Sequence, residues 1–197
     1  MVDEIAIRGE PLGTGERCQF IVDRPVLPNE SAFFGEPSTA AAASPLAADL
    51  LELPGVTSVM IAEETVTLGA DYPIDWPALG AGNVIRKHLA SGEPIVAESY
   101  FENLPSENDL KWAIGDLLAR EINPAVAAHG GWVELIEVKR NNVYLRLGGG
   151  CQGCGAADVT LKQGIEKAIR SLAPSVGEIL DTTDHAAGRN PYYAPAK

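Results

Sequence analysis

The 197-residue chain is predicted to have an α+β fold of two small domains, and three observations support this prediction. Its length is sufficient for two cores of about 80 to 100 residues each. Helix-like and strand-like patterns occur in both halves. The charge is divided unevenly, because residues 1–104 contain five Lys and Arg against sixteen Asp and Glu, whereas residues 105–197 contain ten against eleven. The two halves, with net charges of −11 and −1, are therefore chemically different.

The bulk composition limits the functional classes. A net charge of −12 argues against a nucleic-acid partner, because phosphate binding needs a basic face. No run of 18 uncharged apolar residues occurs, so we expect no membrane span and no membrane partner. The first twenty residues lack the basic start and apolar block of an export signal, and we expect a cytoplasmic protein. Three cysteines in that reducing compartment argue against a disulfide framework.

The first half is predicted to be a domain over residues 1–97. Ser44 and Pro45 form a helix start, with the serine as the N-cap and the proline at the first helical position. Gly92 supplies the left-handed cap at the end of a second helix. The predicted elements are a strand at residues 17–22, a helix from Pro45, a hairpin of strands at 56–61 and 65–68, and a helix at 76–90.

A linker is predicted at residues 98–105, because acidic residues dominate there and the hydrophobic periodicity lapses. The second domain is predicted at residues 106–185, and a polar tail follows at 186–197. The linker would separate the acidic half of the chain from the nearly neutral half.

The second domain is predicted to have the element order α-β-β-α-β. Its first helix begins at the N-cap Ser106, with Asp109 three residues later, and bends near Pro124, which has no N–H for the carbonyl four residues back. That helix ends at His129-Gly130-Gly131. The later elements are strands at 133–138 and 143–147 around a turn at Asn141-Asn142, a helix entered through Asp158 or Thr160 with Leu161, Ile165, Ala168, Ile169 and Leu172 on one face, and a strand at 178–180.

Two cysteines in a glycine-rich loop form the motif with the clearest chemistry. Cys151 and Cys154 lie between a predicted strand and a predicted helix, with glycine at positions 148–150, 153 and 155. Glycine lets the backbone adopt positive φ and approach a bulky inorganic group closely. Amide N–H groups and the dipole at the start of the following helix stabilise thiolate. The pair is therefore predicted to bind metal or to act in redox chemistry.

The residues leave three interpretations of this pair open. A thiol–disulfide oxidoreductase also places C-x-x-C between a strand and a helix, but here glycine replaces the usual preceding aromatic residue and the βαβ lead-in is absent. A zinc site needs two further Cys or His ligands, and His129 and His185 lack the paired spacing of a zinc module. An iron–sulfur cluster shared by two chains obtains its four cysteines with two from each chain.

Several segments closely resemble the C-terminal domain of NifU, which the Nfu iron–sulfur carriers share. This resemblance spans about residues 107–185, the first half resembles the Nfu N-terminal domain, and the tail resembles that of bacterial NfuA-type carriers. One departure is Gly155-Ala156-Ala157, where many relatives have Pro-Ser-Ser. The segments that carry the resemblance are 122–131, 133–135, the cysteine pair and 158–166 in the second half, and 20–27, 44–47, 53–59 and 88–94 in the first half.

The resemblance implies a carrier protein without enzymatic activity. It implies that Cys151 and Cys154 ligate one [4Fe-4S] cluster per homodimer, with the two subunits joined through the cluster. It also implies that the cluster comes from an upstream assembly scaffold and passes to apo iron–sulfur client proteins. The acidic first half would then be a client-docking module. The alternative from a different functional class is a thiol–disulfide oxidoreductase that uses the same cysteine pair.

The other candidate residues are predicted to have structural roles. Cys18 lies on a predicted strand, and we expect it to be a small buried apolar residue and not a ligand. His129 is expected to stabilise the negative end of its helix. The remaining expectations are a polar helix face for His88, a position in or near the core for Trp112 and Trp132, close packing at Gly164, and a solvated face for Lys162 and Lys167.

Overall fold

The computed structural model describes residues 4–128, 130–149 and 155–182, and of residues 155–160 it describes the backbone only. The chain divides into two compact units, residues 1–104 and residues 105–197. Helices and strands are present in both units, so the predicted α+β fold class is confirmed. No helix among the described residues is both long enough and apolar enough to cross a bilayer. The predicted tail at 186–197 lies outside the described residues.

The first unit is built on a five-stranded antiparallel sheet with the strand order β1-β2-β5-β4-β3. Alternate strand residues such as Phe20, Ile61 and Leu68 share one buried core with Leu46 and Ile85 of the helices. The elements are β1 (Ile7–Leu12), β2 (Arg17–Val22), β3 (Leu27–Phe34), α1 (Pro37–Ala43), α2 (Pro45–Leu51), β4 (Val56–Glu63), β5 (Thr65–Ala70), a 3-10 turn (Trp76–Leu79), α3 (Ala81–Ser91) and α4 (Glu98–Glu102).

Strand β2, the β4–β5 hairpin and the start of α2 are confirmed. The Ser44 hydroxyl accepts a hydrogen bond from the Ala47 N–H at 3.1 Å, as an N-cap should. Strands β1 and β3 were not predicted. Each contains a proline, Pro11 or Pro28, and each lies at an edge of the sheet. A proline is tolerated there because an edge strand does not need every N–H for pairing.

The predicted helix at 76–90 is wrong in its first part. A 3-10 turn ends at Gly80, whose φ of 67° is left-handed, and the α-helix begins only at Ala81. Glycine adopts this conformation without the clash that a Cβ would cause, and it separates the two helical segments. The predicted cap at Gly92 is confirmed, with a φ of 71°.

The predicted linker at 98–105 begins with a helix of the first unit. Tyr100 of α4 is 8% exposed and belongs to the core of that unit, with its ring centroid 5.1 Å from that of Phe34. Its hydroxyl also donates to the Phe33 carbonyl at 3.1 Å and accepts from the Phe33 N–H at 3.3 Å. A helix of five residues is too short to show hydrophobic periodicity, so its acidic composition was wrongly taken as the sign of a linker.

The second unit has the predicted order α-β-β-α-β. Its sheet has the order β6-β7-β8, in which β6 and β7 are antiparallel and β7 and β8 are parallel. Residues from one face of the sheet, such as Val133 and Leu147, share a core with Ile114 and Ile169 of the helices. The elements are α5 (Glu107–Leu117), a π-helical turn (Leu118–Ile122), α6 (Asn123–Ala127), β6 (Gly131–Lys139), β7 (Asn142–Gly149), α7 (Gly155–Leu172) and β8 (Ile179–Asp181).

The first helix of this unit begins as predicted and changes its bonding pattern before Pro124. The Ser106 hydroxyl accepts from the Asp109 N–H at 3.1 Å, which confirms the cap. The π-helical turn at Leu118–Ile122 comes directly before α6, in which Pro124 is at an N-terminal position. Proline cannot donate to the carbonyl of Arg120, and the wider turn accommodates this gap.

Three details of the second unit differ from the prediction. The β6–β7 turn is Arg140-Asn141, both with positive φ, because Lys139 pairs with Asn142. Helix α7 begins at Gly155, so the backbone of Asp158 and Thr160 lies inside the helix and neither residue is its cap. Leu172, placed on the buried helix face, is 46% exposed, while the next residue, Ala173, is buried.

Candidate functional site

The four candidate ligands of the second half lie outside the described residues. These are Cys151, Cys154, His129 and His185. The structure does describe what holds both ends of the thiol loop, because β7 ends at Gly149 and α7 begins at Gly155. The contacts of these two elements therefore define the frame of the site.

A tryptophan lies across the last part of β7. Trp132 and Gly148 are directly opposite each other in the antiparallel ladder. A Cβ built on Gly148 would overlap the Trp132 indole, which is 43% exposed. Gly148 is buried, although it lies on the sheet face opposite the core. An aromatic side chain that covers a cross-strand glycine stabilises this kind of pair, and any Cβ at position 148 would displace the indole from this place.

The next pair brings two backbones into close contact. Gly149 pairs with Gly131 and has a φ of 66°. A Cβ at position 149 would overlap the carbonyl oxygen of Gly130, whose own φ is 70°. The left-handed backbone turns the chain out of β7 at the residue where the sheet ends. Glycine at position 149 is therefore required by geometry before any ligand is considered, and the positive φ of Gly130 favours glycine there too.

Asn123 attaches helix α6 to the start of β6. Its side-chain oxygen accepts from the Val133 N–H at 2.8 Å, and its Nδ2 donates to the Val133 carbonyl at 2.9 Å. The amide thus takes the place of a neighbouring strand at one residue of the β6 edge. Val133 is next to Trp132, so this clamp also fixes the strand position from which the indole reaches Gly148.

Helix α7 is held against the sheet by an ion pair and by apolar contacts. The Lys162 Nζ lies 3.0 Å from an Asp181 carboxylate oxygen in β8, with the two side chains 24% and 7% exposed. Ile165 and Ile169 are buried in the core. Near the end of α7, Arg170 donates to the carbonyls of Val176 and Gly177 at 2.7 and 3.0 Å. The distal end of the loop therefore starts from a firmly packed helix.

Cys18, the third cysteine, is not an alternative ligand in the described structure. It is 1% exposed in the core of the first unit, as predicted, and burial raises the pKa of its thiol to about 11. A buried neutral thiol is a poor metal ligand, because the thiolate is the form that binds. No group of three or more His, Cys, Asp and Glu in the described ranges is arranged to hold a metal ion.

The predictions about the other single residues are only partly confirmed. His88 lies on a polar helix face as predicted, although its side chain is only 16% exposed and lies 2.8 Å from an Asp49 carboxylate oxygen. Trp112 is 75% exposed and is not a core aromatic. Nothing lies within 4 Å of a Cβ built on Gly164, so close packing does not explain that glycine. Lys162 is mostly buried in its ion pair, whereas Lys167 is exposed as predicted.

Sequence reasoning missed the Asn123 clamp and the contact of Trp132 with Gly148. Trp132 and Gly148 each lie one residue outside the strands predicted at 133–138 and 143–147, so the second required both strands to be extended and the turn to be placed correctly. A tryptophan opposite a strand glycine is a pairing with a known physical basis. The clamp had no such signal. An asparagine in front of a proline is typical of a helix start or a turn, and only the tertiary structure shows which strand it reaches.

Both units match known families. Residues 13–92 match the family described as scaffold protein Nfu/NifU N terminal, and residues 114–180 match the NifU-like domain. Together these matches cover most of both units.

Curated relatives are similar to a part of the chain. The Fe/S biogenesis protein NfuA of Xanthomonas euvesicatoria pv. vesicatoria (strain 85-10) is 42% identical over 120 residues, which cover 60% of this chain and 57% of the relative. That of Stenotrophomonas maltophilia (strain K279a) is 54% identical over 77 residues, or 39% of each chain. The matched part thus spans 57% of the length of the first relative and 39% of the second. The solution NMR structure of a NifU-like protein from Saccharomyces cerevisiae aligns with a TM-score of 0.42 and 21% identity, over 48% of this chain and 86% of that one.

Proposed function

Because the chain is built from an Nfu N-terminal domain followed by a NifU-like domain, we propose that it is an iron–sulfur cluster carrier whose cargo is ligated by Cys151 and Cys154. The observation that carries the proposal is the position of this cysteine pair inside the NifU-like match at 114–180, between two glycines that the fold requires and a well-anchored helix. The protein is a carrier and not an enzyme, so no catalytic residue is assigned.

The cargo is a [4Fe-4S] cluster held between two copies of the chain. Such a cluster takes four thiolates, and one chain offers two in the loop. Cys18 does not make up the difference, because it is buried in the first unit with a raised pKa. A homodimer with one cluster supplies the four ligands by symmetry, with none left over.

Transfer of the cluster requires that a client thiolate reaches the iron and replaces a carrier thiolate. Gly149 is exposed and Trp132 is half exposed, so the sheet end from which the loop departs faces solvent. This position supports a carrier that takes a cluster from an upstream assembly scaffold and delivers it to apo iron–sulfur proteins.

The first unit is the docking module of the carrier. Residues 1–104 have a net charge of −11, whereas residues 105–197 have a net charge of −1. Strong negative charge accelerates association with partners that have a basic surface and weakens binding to those that do not. The described residues of this unit include no set of metal ligands of its own, so partner binding is the simpler role.

Anaerobic reconstitution of the full chain with iron and sulfide tests the proposal. We expect visible absorption of a cluster, about two irons and two sulfides per chain at saturation, and a shift from monomer to dimer in size measurements. Cys151→Ser and Cys154→Ser should each abolish cluster retention. Cys18→Ser is the matched control and should retain the cluster, because Cys18 lies in a different core.

Other outcomes contradict the proposal in separate ways. A monomer that keeps a full cluster excludes sharing between chains. Loss of the cluster in Cys18→Ser means that the ligand assignment is wrong. A colourless protein that reversibly forms a disulfide between Cys151 and Cys154 and reduces disulfide substrates is a thiol–disulfide oxidoreductase instead.

A further inference from the structure

Nothing in the pairing of β6 requires a tryptophan at position 132. The sheet face on which it lies is opposite the core, and the next cross-strand pair on this face, Glu134 with Arg146, is half exposed on both sides. Exposed pairs of this kind contribute little to stability. The Trp132–Gly148 pair differs, since its glycine is buried and the indole is the group that covers it.

The Trp132 indole covers β7 at Gly148, close to the end of the strand. Gly148 is three residues before Cys151, and Gly149, the following residue, turns the chain out of the sheet with a φ of 66°. A glycine backbone without a neighbouring side chain exposes its peptide groups to water and opens easily. An indole packed on Gly148 removes water from these groups and restricts the backbone from which the loop starts.

We propose that Trp132 is a positioning residue of the thiol loop, acting through Gly148 to limit how readily the two loop thiols are reached from solvent. Asn123 supports this role, because its clamp on Val133 fixes the adjacent residue of β6. The role of Trp132 in a carrier rests on the proposed function, since restricted access to the thiols would slow loss of the cluster until a client docks. Its first test does not need the cargo.

Apo protein that is fully reduced is mixed anaerobically with 5,5′-dithiobis(2-nitrobenzoate), and the rate of thiol modification is measured. The buried Cys18, with its raised pKa, reacts slowly and leaves the loop thiols as the fast phase. We expect Trp132→Ala to accelerate this phase by about two- to ten-fold, the range that loss of one aromatic contact allows. Trp132→Phe keeps a ring over Gly148 and should restore most of the wild-type rate.

Trp112→Ala is the matched control. Trp112 is the other exposed tryptophan of the same unit, at 75%, and it lies on α5, so its replacement should leave the rate unchanged. Gly148→Ala approaches the same contact from the other strand, because its Cβ displaces the indole, and it should accelerate the reaction as Trp132→Ala does. Trp132→Leu replaces the alanine variant if that variant does not fold, with an intermediate rate expected.

A second measurement separates this proposal from the proposed function. After reconstitution, the rate at which a ferrous chelator removes iron is compared between wild type and Trp132→Phe or Trp132→Ala. Faster release from the alanine variant alone supports the role of Trp132. If wild type takes up no iron and sulfide, the carrier function fails, and the thiol rates still decide what Trp132 does. If folded Trp132→Ala and Gly148→Ala both react at the wild-type rate, the inference is wrong.

Discussion

In both units a helix side chain hydrogen-bonds to backbone groups of an edge strand, but the surroundings of this contact differ. Each has a strand at an edge of its sheet, and each closes that edge at one residue with a side chain from a helix. In the first unit the Tyr100 hydroxyl bridges the N–H and the carbonyl of Phe33. In the second unit the Asn123 amide bridges those of Val133.

The difference lies in what surrounds each clamp. Tyr100 is buried in a core with Phe34 and Phe101, at ring-centroid distances of 5.1 and 5.3 Å, in the unit that does not contain the cysteine pair. Asn123 binds the residue next to Trp132, which covers the strand end before the cysteine loop. An edge clamp is therefore a packing device in the first unit and, on our interpretation, part of the frame of a binding site in the second.

The largest effect is expected from Tyr100→Ala. It removes a buried aromatic ring together with the clamp, and it should lower the free energy of unfolding of the first unit by about 3–5 kcal/mol. Denaturant unfolding measures this change. Tyr100→Phe is the control that removes the hydroxyl alone, with a loss of about 1 kcal/mol. Neither variant should change the rate of loop thiol modification, and a change would show that the clamp of the first unit also affects the cysteine loop.

Asn123→Ala should have the next largest effect. It leaves the N–H and the carbonyl of Val133 without their partner, and we expect a loss of about 1–3 kcal/mol in the stability of the second unit. Unlike the tyrosine variants, it should also accelerate modification of the loop thiols in the folded protein. An asparagine variant that is destabilised but has wild-type thiol reactivity would show that the clamp is structural in both units.

Gly164→Ala should act in the opposite direction. Gly164 is exposed on α7, and nothing lies within 4 Å of a Cβ at that position, so alanine fits without a clash. Alanine in a helix interior is more stable than glycine by about 1 kcal/mol. Thermal unfolding should show the second unit stabilised and the first unchanged. Destabilisation would contradict this expectation.

The last expected effect is a pH dependence that belongs to the first unit and is absent at neutral pH. Burial raises the pKa of Cys18 from 9.0 to about 11, so the folded state favours the neutral thiol. This stabilisation is complete below pH 9.0 and is lost as the pH rises through about 11. Wild type should therefore lose more stability than Cys18→Ala between these values. Equal slopes would show that the thiol is not protected by the core.

Sequence patterns predicted the elements that have local signals. The Ser44 and Ser106 caps, β2 and the α-β-β-α-β order of the second unit each depend on residues that lie close together in the chain. The edge strands β1 and β3 escaped prediction because their prolines are acceptable only at a sheet edge, which is a tertiary property. Helix α4 escaped because its one buried anchor, Tyr100, gives no periodicity.

The sequence predicted the chemistry of the candidate site but not the residues that hold the ends of the cysteine loop. The spacing of the two cysteines and the surrounding glycines indicated thiolate ligation, and that assignment stays a prediction, because residues 150–154 lie outside the described structure. The groups that support the loop come from distant positions: Asn123 from a helix, Trp132 from the facing strand and Asp181 from the end of the domain. Such pairings depend on topology, which a local pattern does not contain.

The parallel pairing of β7 and β8 has a consequence for biosynthesis. Strand β8 reaches its position only after the chain has crossed the sheet through α7, whereas β6 and β7 join through a two-residue turn. Contacts that are distant in sequence form late, since the entropy of closing the intervening chain opposes them. On a nascent chain, the β6–β7 hairpin is therefore expected to form before α7 and β8 complete the sheet.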